Sequence, residues 1–416
     1  MPTSHFVEHF FRHEYARLVA ALTKRFGVRH WALVEDAVQT AMQRALATWA
    51  HTGAPPKPGA WLYRVAYHRA LDELRRDTRS TSLDDASHTN PAYTEEPADD
   101  EIEDAQLRMI FVCCDPAIAP ESQVALALKV LCGFSVSEIA KALLTSEMNI
   151  AKRLTRAKER LREAGLDPAA ITPEQICDRL TTVQAVLYLL FNEGYCSTTP
   201  DAVIRQDLCE EAVRLAAILA DHALTRSPAT AAFLALLLFH AARLEERIDA
   251  HGMLILMDNQ DRRRWDYQLL GEAYRRFQQS TQGTVCTRYH VEAWIAAEHC
   301  RAASAAETDW QRIVEAYDLL LKIAPSPIHE LNRAIAIGRR DGPHAALRAM
   351  AEVPAEQVPA NYYLWYAAHA QFAHEANDRE AARRSLVRAR ELAPTIAEQR
   401  LLEQRLAELN TITHAT

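Results

Sequence analysis

The sequence predicts an all-α protein of more than one domain, and three observations predict it. Long stretches are rich in Ala, Leu, Arg and Glu, residues that lose little freedom on entering a helix. Glycine is scarce, with 11 residues in 416, and aromatic residues make up only 7%. Apolar residues recur every three or four positions, and no convincing run alternates as a half-buried strand would. At 416 residues the chain exceeds one ordinary core, so two or three domains are expected.

The net charge of -8 argues against indiscriminate nucleic-acid binding, but charge is segregated along the chain. Basic residues exceed acidic ones from Met1 to Arg79, whereas Ser82 to Asp104 is strongly acidic and holds no Lys or Arg. The eight cysteines form no CxxC pair and Cys113 adjoins Cys114, a pattern of reduced thiols in a cytoplasmic protein. There is no N-terminal leader pattern, and the apolar run Ala231 to Phe239 is too short to span a bilayer, so no membrane role is expected.

Val7 to Phe26 has a helical apolar side (Phe10, Ala16, Leu18, Val19, Leu22), and Gly27 ends it. His5, His9 and His13 share helical spacing but lack an acidic or Cys partner, so they read as surface residues and no metal or cofactor is expected. Trp31 to Trp49 turns Val34, Val38, Met42, Ala45 and Leu46 inward and Glu35, Asp36, Gln39, Gln43 and Arg44 outward. His51 to Gly59, with three prolines and two glycines, reads as an extended loop. The helix Ala60 to Arg76 interleaves Trp61, Tyr63 and Tyr67 with Arg64, His68, Arg69, Arg75 and Arg76. Aromatic faces beside cations suit unstacked single-stranded bases, and the same aromatics would equally serve as core. Ser80 to Asp104 is a tether that should stay disordered until bound.

Ser135 to Arg162 reads as two short helices with a tight turn between them. Ser135 and Glu138 have capping-box spacing, and Thr145 and Ser146 cap the turn. On the second helix Ile150, Leu154, Ala157 and Leu161 face inward, while Asn149, Lys152, Arg153, Arg156, Lys158 and Arg160 fall mostly elsewhere. Such a helix enters a major groove with its first turn and holds phosphates with the rest, or is a plain solvated face.

The order VEDAVQTAMQRAL, a loop, PGAWLYRVAYHRALDELRR, an acidic stretch and then a helix-turn-helix resembles the extracytoplasmic-function sigma factors of the sigma-70 class. The resemblance implies region 2 over 1–80, a flexible acidic linker over 81–105, region 4 over 106–167 and a large helical domain over 168–416. It implies that Glu35, Asp36, Gln39, Thr40 and Arg44 dock on the coiled coil of the polymerase β′ subunit, with the β flap as a second polymerase contact. Trp61, Arg64, His68 and Arg69 would capture the melted minus-10 strand; many relatives carry Asn where His68 stands. Phe111 to Asp115 and Glu121 to Leu131 would be supporting helices, and Glu147, Asn149, Lys152, Arg153 and Arg156 would meet the minus-35 duplex. The acidic linker would lie in channels that normally carry nucleic acid, or act as a plain tether.

Pro168 and Pro173 mark the start of a C-terminal half of successive helices: Gln175 to Phe191, Leu208 to His222, Thr230 to Leu244, Arg264 to Gln279, Val291 to Ala302 and Trp310 to Ile323, then Ile328 to Gly338, His344 to Met350, Tyr362 to Glu375, Arg379 to Leu392 and Ala397 to Glu408. Pro325 and Pro394 close helices two repeats of about 34 residues apart, and Ala370, Ala382, Leu386 and Ala389 stand where a tetratricopeptide repeat places its packing residues. The predicted architecture is therefore an α-solenoid, or tetratricopeptide-like domain. YLLFNEGY, MDNQDRRRWD and TDWQRIVEAYDLLL resemble the C-terminal extension of one group of these sigma factors, which implies control of the factor and a small DGPF/YCII-like partner protein.

Asn192, Glu193, Asp258, Asp261, Arg262, Arg263, Arg264, Trp265 and Asp266 could line a polar pocket or anchor turns. No nucleophile–base pair, phosphate-cradling loop or metal spacing accompanies them, so the protein is not expected to be an enzyme. The sequence thus points to a sigma factor that binds core RNA polymerase and promoter DNA. The alternative is a helix-turn-helix regulator or ligand-sensing scaffold that bypasses polymerase, which would have no use for the region-2 helix pair.

Overall fold

A computed structural model describes residues 4–81, 99–143, 145–165, 171–195, 204–249, 254–358 and 362–411. Among them the chain is helical apart from turns and one isolated antiparallel bridge, Ile248 to Leu254. The chain divides into two compact units, one through Leu190 and one from Phe191 onward, with Ala223–Thr225 counted in the first.

In the first unit α1 (Ser4–Phe26), α2 (Trp31–Thr52) and α3 (Pro58–Thr81) form a bundle. Its core holds Leu18, Val19 and Leu22 of α1, Trp31, Val34, Val38 and Ala41 of α2, and Leu62, Ala66 and Ala70 of α3. The prolines break less than expected. Helix α2 runs to Thr52 and α3 starts at Pro58, because a proline is well suited to the first helical position, where its missing N–H is not needed. The expected loop His51 to Gly59 thus shrinks to 53–57. Leu46, expected inside, is 54% exposed, since it lies a sixth of a turn or more beyond the buried stripe ending at Ala45.

Helix α4 (Asp99–Cys113) absorbs two expectations. The short helix expected at Phe111 to Asp115 is the end of this longer one, and the acidic residues 99–104 are helical rather than part of a tether. Carboxylates in a first turn suit the positive end of the helix dipole. Residues 82–98 lie outside the described residues, as does the expected disorder there. Then come α5 (Pro120–Leu131), α6 (Val136–Ala142), α7 (Glu147–Glu163) and α8 (Pro173–Tyr195). The capping box forms as its spacing predicts: Ser135 N–H donates to Glu138 Oε2 at 2.7 Å, and Glu138 N–H to Ser135 Oγ at 3.1 Å.

The first compact unit runs past Pro168 because α8 is anchored in it. Arg179 pairs with Asp115 at 2.7 Å and donates to the Phe111 carbonyl at 3.2 Å, and Arg108 donates to the Ile171 carbonyl.

The second unit contains α9 (Gln206–Asp221), α10 (Pro228–Ala241), α11 (Tyr267–Ser280), α12 (Arg288–Arg301), α13 (Trp310–Ile323), α14 (Pro327–Asp341), α15 (Pro343–Ala351), α16 (Tyr363–Glu375), α17 (Arg379–Leu392) and α18 (Ile396–Thr411). Helix α10 is apolar all round, so α9, α11 and α12 pack about it. Beyond it each helix packs mainly on its neighbours in sequence, through a series of linked cores. Ile295, Ile313 and Leu320 join α12 to α14. Leu331, Met350 and Phe372 join α14 to α16, and Ala370, Leu386 and Leu402 join α16 to α18. Such nearest-neighbour stacking is how solenoids bury faces that single helices cannot. Ala370, Ala382, Leu386 and Ala389 are all buried in the last of these cores.

Candidate nucleic-acid interface

The second helix of the expected helix-turn-helix is α7. Ile150, Leu154, Ala157 and Leu161 pin one side of it inward, which turns Met148, Lys152, Thr155 and Arg156 to solvent. Its first turn is built by local bonds: Ser146 Oγ accepts from the Asn149 N–H at 3.3 Å, and the Asn149 side-chain amide donates to Thr145 Oγ1 at 2.8 Å. Asn149 is therefore partly committed to the turn, while Glu147 stays exposed. Arg153, expected on the DNA side, sits on the flank and pairs with Glu121 of α5 at 3.2 Å. The outward face has an apolar member that the sequence reading passed over: Met148 is 68% exposed at the start of the helix. Its exposure follows from its distance from the buried stripe, a signal already present in the periodicity.

On α2, Asp36, Gln39 and Arg44 are exposed, and the Thr40 hydroxyl donates to the Asp36 carbonyl at 2.8 Å. Exposed Leu46 adds an apolar group that the sequence reading had placed in the core. Glu35 stands apart from this face. Its side chain is only 12% exposed and it accepts from Lys158 Nζ of α7 at 2.5 Å. The same ammonium lies 5.6 Å from the centre of the Trp31 ring, a cation–π contact. Close by, burial and then the Glu35 carboxylate push the Tyr15 phenol well above its ordinary range. Burial lowers the Lys129 ammonium, which lies over the Tyr15 ring at 6.0 Å. This cluster ties α7 and α5 to α1 and α2.

On α3, Trp61, Arg64 and His68 follow helical spacing along one face, with Arg64 and His68 exposed. Trp61 is half-buried, its ring edge-on to Trp49 of α2 at 5.4 Å. Arg69 is held by Glu73 at 3.1 Å. Tyr63 and Tyr67 are core residues and take no part in an open aromatic face.

The polar run of the second unit is used for architecture. Arg262 is buried and donates to the His299 and Ala302 carbonyls, each at 2.7 Å, closing the end of α12. Arg264 pairs with buried Glu246 at 2.9 Å, Arg339 holds Asp258 at 2.6 Å, and Asp266 caps α11 through the Gln268 and Leu269 amides. Asp261 caps the turn that follows it and binds the Arg263 guanidinium, which holds its carboxyl down to about 2. Trp265 is buried under Arg243 and Arg262, and Asn192 is exposed. Gly194, in the NEGY stretch with Glu193, allows close approach: a Cβ there would meet Cys209 Sγ at 2.7 Å and the Arg205 carbonyl oxygen at 2.8 Å.

Residues 11–80 match the family described as Sigma-70 region 2, and residues 116–161 match Sigma-70, region 4. Residues 179–281 match a family of unknown function, DUF6596. An uncharacterised protein of Rhizobium meliloti (strain 1021) is 36% identical over 353 residues, which cover 83% of this chain and 82% of the relative. No solved structure matches the chain. Among the described residues no helix is long and apolar enough to cross a membrane.

Proposed function

The chain belongs to the sigma-70 family, with regions 2 and 4 and a DUF6596 extension, and from that premise we propose how its surfaces divide promoter recognition from promoter opening. It is an RNA polymerase sigma factor, a transcription initiation factor that binds core polymerase and promoter DNA. The finer reading rests above all on the exposed face of α7, where Lys152 and Arg156 stand beside Met148. There the two cations hold phosphate or guanine, Met148 meets a thymine methyl, and Glu147 and Asn149 border the minus-35 bases. Arg153 supports the helix through Glu121 and contributes field rather than contact.

Region 2 opens the duplex. Unstacking a base costs a few kcal/mol, and stacking on an aromatic ring returns about 1–3 kcal/mol per base. Trp61, braced by Trp49, provides that ring, and Arg64, His68 and Arg69 track the strand. Asp36, Gln39, Thr40 and Arg44, with Leu46, form the face that docks on the β′ coiled coil, while region 4 meets the β flap. Glu35 joins that face only when Lys158 lets go, so polymerase competes with α7 for α2. The C-terminal unit tunes this activity in the cytoplasm, with a small DGPF/YCII-like protein as its candidate partner.

Run-off transcription with core polymerase tests the reading. Lys152→Ala with Arg156→Ala should weaken binding to minus-35 duplex, whereas Trp61→Ala should leave that binding intact and reduce permanganate-reactive thymines at the start site. Equal loss of both steps in both variants contradicts the division. Absence of a promoter-dependent transcript with the unaltered chain removes the reading altogether, and would favour a regulator that bypasses polymerase.

A further inference from the structure

The second unit contains a cleft of about 370 Å³ between α16, α17, α18 and the turn at Leu256–Asn259. Its lining has an apolar part, the floor, contributed by Ala370, Leu386, Leu401 and Leu409, and a polar part that includes Gln371, His374 and Glu408. One guanidinium, that of Arg405, lines the same cleft. Arg405 is half-buried and, among the described residues, engages no hydrogen bond or ion pair. Its nearest counter-charge, Glu408, accepts from the Gln404 amide at 3.0 Å and reaches Arg405 only through its field, and Arg339 is held by Asp258 at 2.6 Å. Burial lowers the Arg405 pKa; the Glu408 carboxylate offsets part of that lowering and the Arg339 charge adds to it, so the Arg405 charge is incompletely compensated.

A half-buried cation beside apolar groups is costly for the empty protein, because the charge has lost water and gained only a distant counter-charge in Glu408. A ligand removes that cost if it carries an anionic group for Arg405 and an apolar body for the floor. The volume lies at the small end of ligand pockets, which limits the ligand to a small molecule. Inorganic phosphate leaves the floor unused. A polyanion meets the Glu408 carboxylate beside the site. We propose that this cleft binds a small organic monoanion, with its carboxylate or sulfonate on Arg405 and an aromatic or aliphatic body on Ala370, Leu386, Leu401 and Leu409. Such a ligand bridges α16 and α18 and joins them to the Leu256–Asn259 turn. The inference does not depend on the promoter reading, and its floor lies beyond residues 179–281, which match DUF6596.

The test is fluorescence titration of the full-length chain with 1-anilinonaphthalene-8-sulfonate, an anion with an aromatic body that brightens in apolar sites. One saturable site per chain is expected, displaced by octanoate but not by octanol. Arg405→Gln should weaken it by about tenfold or more, the scale of one lost charge-assisted contact. Arg405→Lys, which keeps the charge and loses the fork, should fall between the two. Gln404→Trp, an exposed residue at the rim, should fill the cleft and abolish binding with the circular-dichroism spectrum unchanged. Unsaturable binding, an unchanged affinity in Arg405→Gln, or equal affinity for uncharged N-phenyl-1-naphthylamine overturns the proposal.

Discussion

At Gly338 the α14 backbone passes so close to its neighbours that a Cβ would lie 2.5 Å from the Phe372 ring and 2.6 Å from the Ala346 methyl. Neither can retreat, since Ala346 and Phe372 are buried in the core linking α14 to α16. Gly338→Ala should therefore destabilise the second unit by about 1–3 kcal/mol. Gly271 in α11 is the control, because a Cβ there meets nothing within 4 Å. Gly271→Ala should stabilise by about 0.5–1 kcal/mol through chain entropy, and urea denaturation of both variants checks the pair. The same attention to neighbours separates the α7 cations. Lys152 and Arg156 are exposed, so each alanine variant should weaken duplex binding and reduce the salt slope by about one. Arg153 is held by Glu121, so Arg153→Ala should leave the slope nearly unchanged and cost up to about 1 kcal/mol of stability. Anisotropy titrations at several salt concentrations distinguish the two outcomes.

Helix α8 is the element whose placement was least legible in the chain. Pro168 and Pro173 suggested a domain boundary, yet the first unit keeps α8 through Arg179, buried against Asp115 and the Phe111 carbonyl. Asp115 also accepts from the Ala117 N–H at 2.8 Å, so the carboxylate is fixed in place. Arg179→Leu would leave it buried without its cation and should cost about 3–5 kcal/mol. Adding Asp115→Leu should recover much of that loss, as replacing a whole buried pair by apolar groups often does. Helix spans, by contrast, were readable because caps and periodicity are local. The expected limits of α13 and α17 coincide with the observed ones, and Ser135 and Glu138 form the box their spacing announces. The surfaces of α2, α3 and α7 could be located from the same periodicity. What could not be read was which members were already engaged. Glu35 meets Lys158 across 123 positions, and no periodic signal reports a pairing of that range.

For the molecule as a whole, the second unit carries a sensitivity to acid that its surface charge does not reveal. His240 is half-buried, and desolvation followed by the Arg243 and Arg247 charges holds its pKa well below the usual histidine value. Its Nδ1 faces an Arg243 N–H at 3.0 Å, a geometry that requires an unprotonated acceptor. His299 is half-buried too, and desolvation with Arg243 and Arg262 lowers it to about 3. Burial lowers His290 and His369 in the same direction. Unfolding releases these imidazoles to an ordinary pKa of about 6.5. Between the folded and unfolded values the unfolded chain binds more protons, so stability is full above about pH 6.5 and falls as pH decreases. Integrating that difference from pH 7 to pH 5.5 gives a loss of about 1.2 kcal/mol for each strongly lowered histidine, or about 2.5 kcal/mol for His240 and His299 together. Paired carboxylates add little over this interval, because most titrate below it. His299→Phe keeps an aromatic ring beside Trp310, 5.5 Å away in the unaltered chain, and removes one titrating group. The variant should lose about 1.2 kcal/mol less stability than the unaltered chain between pH 7 and pH 5.5, measured by urea unfolding of the second unit's transition. Equal losses in the two proteins would show that acid acts elsewhere in the fold.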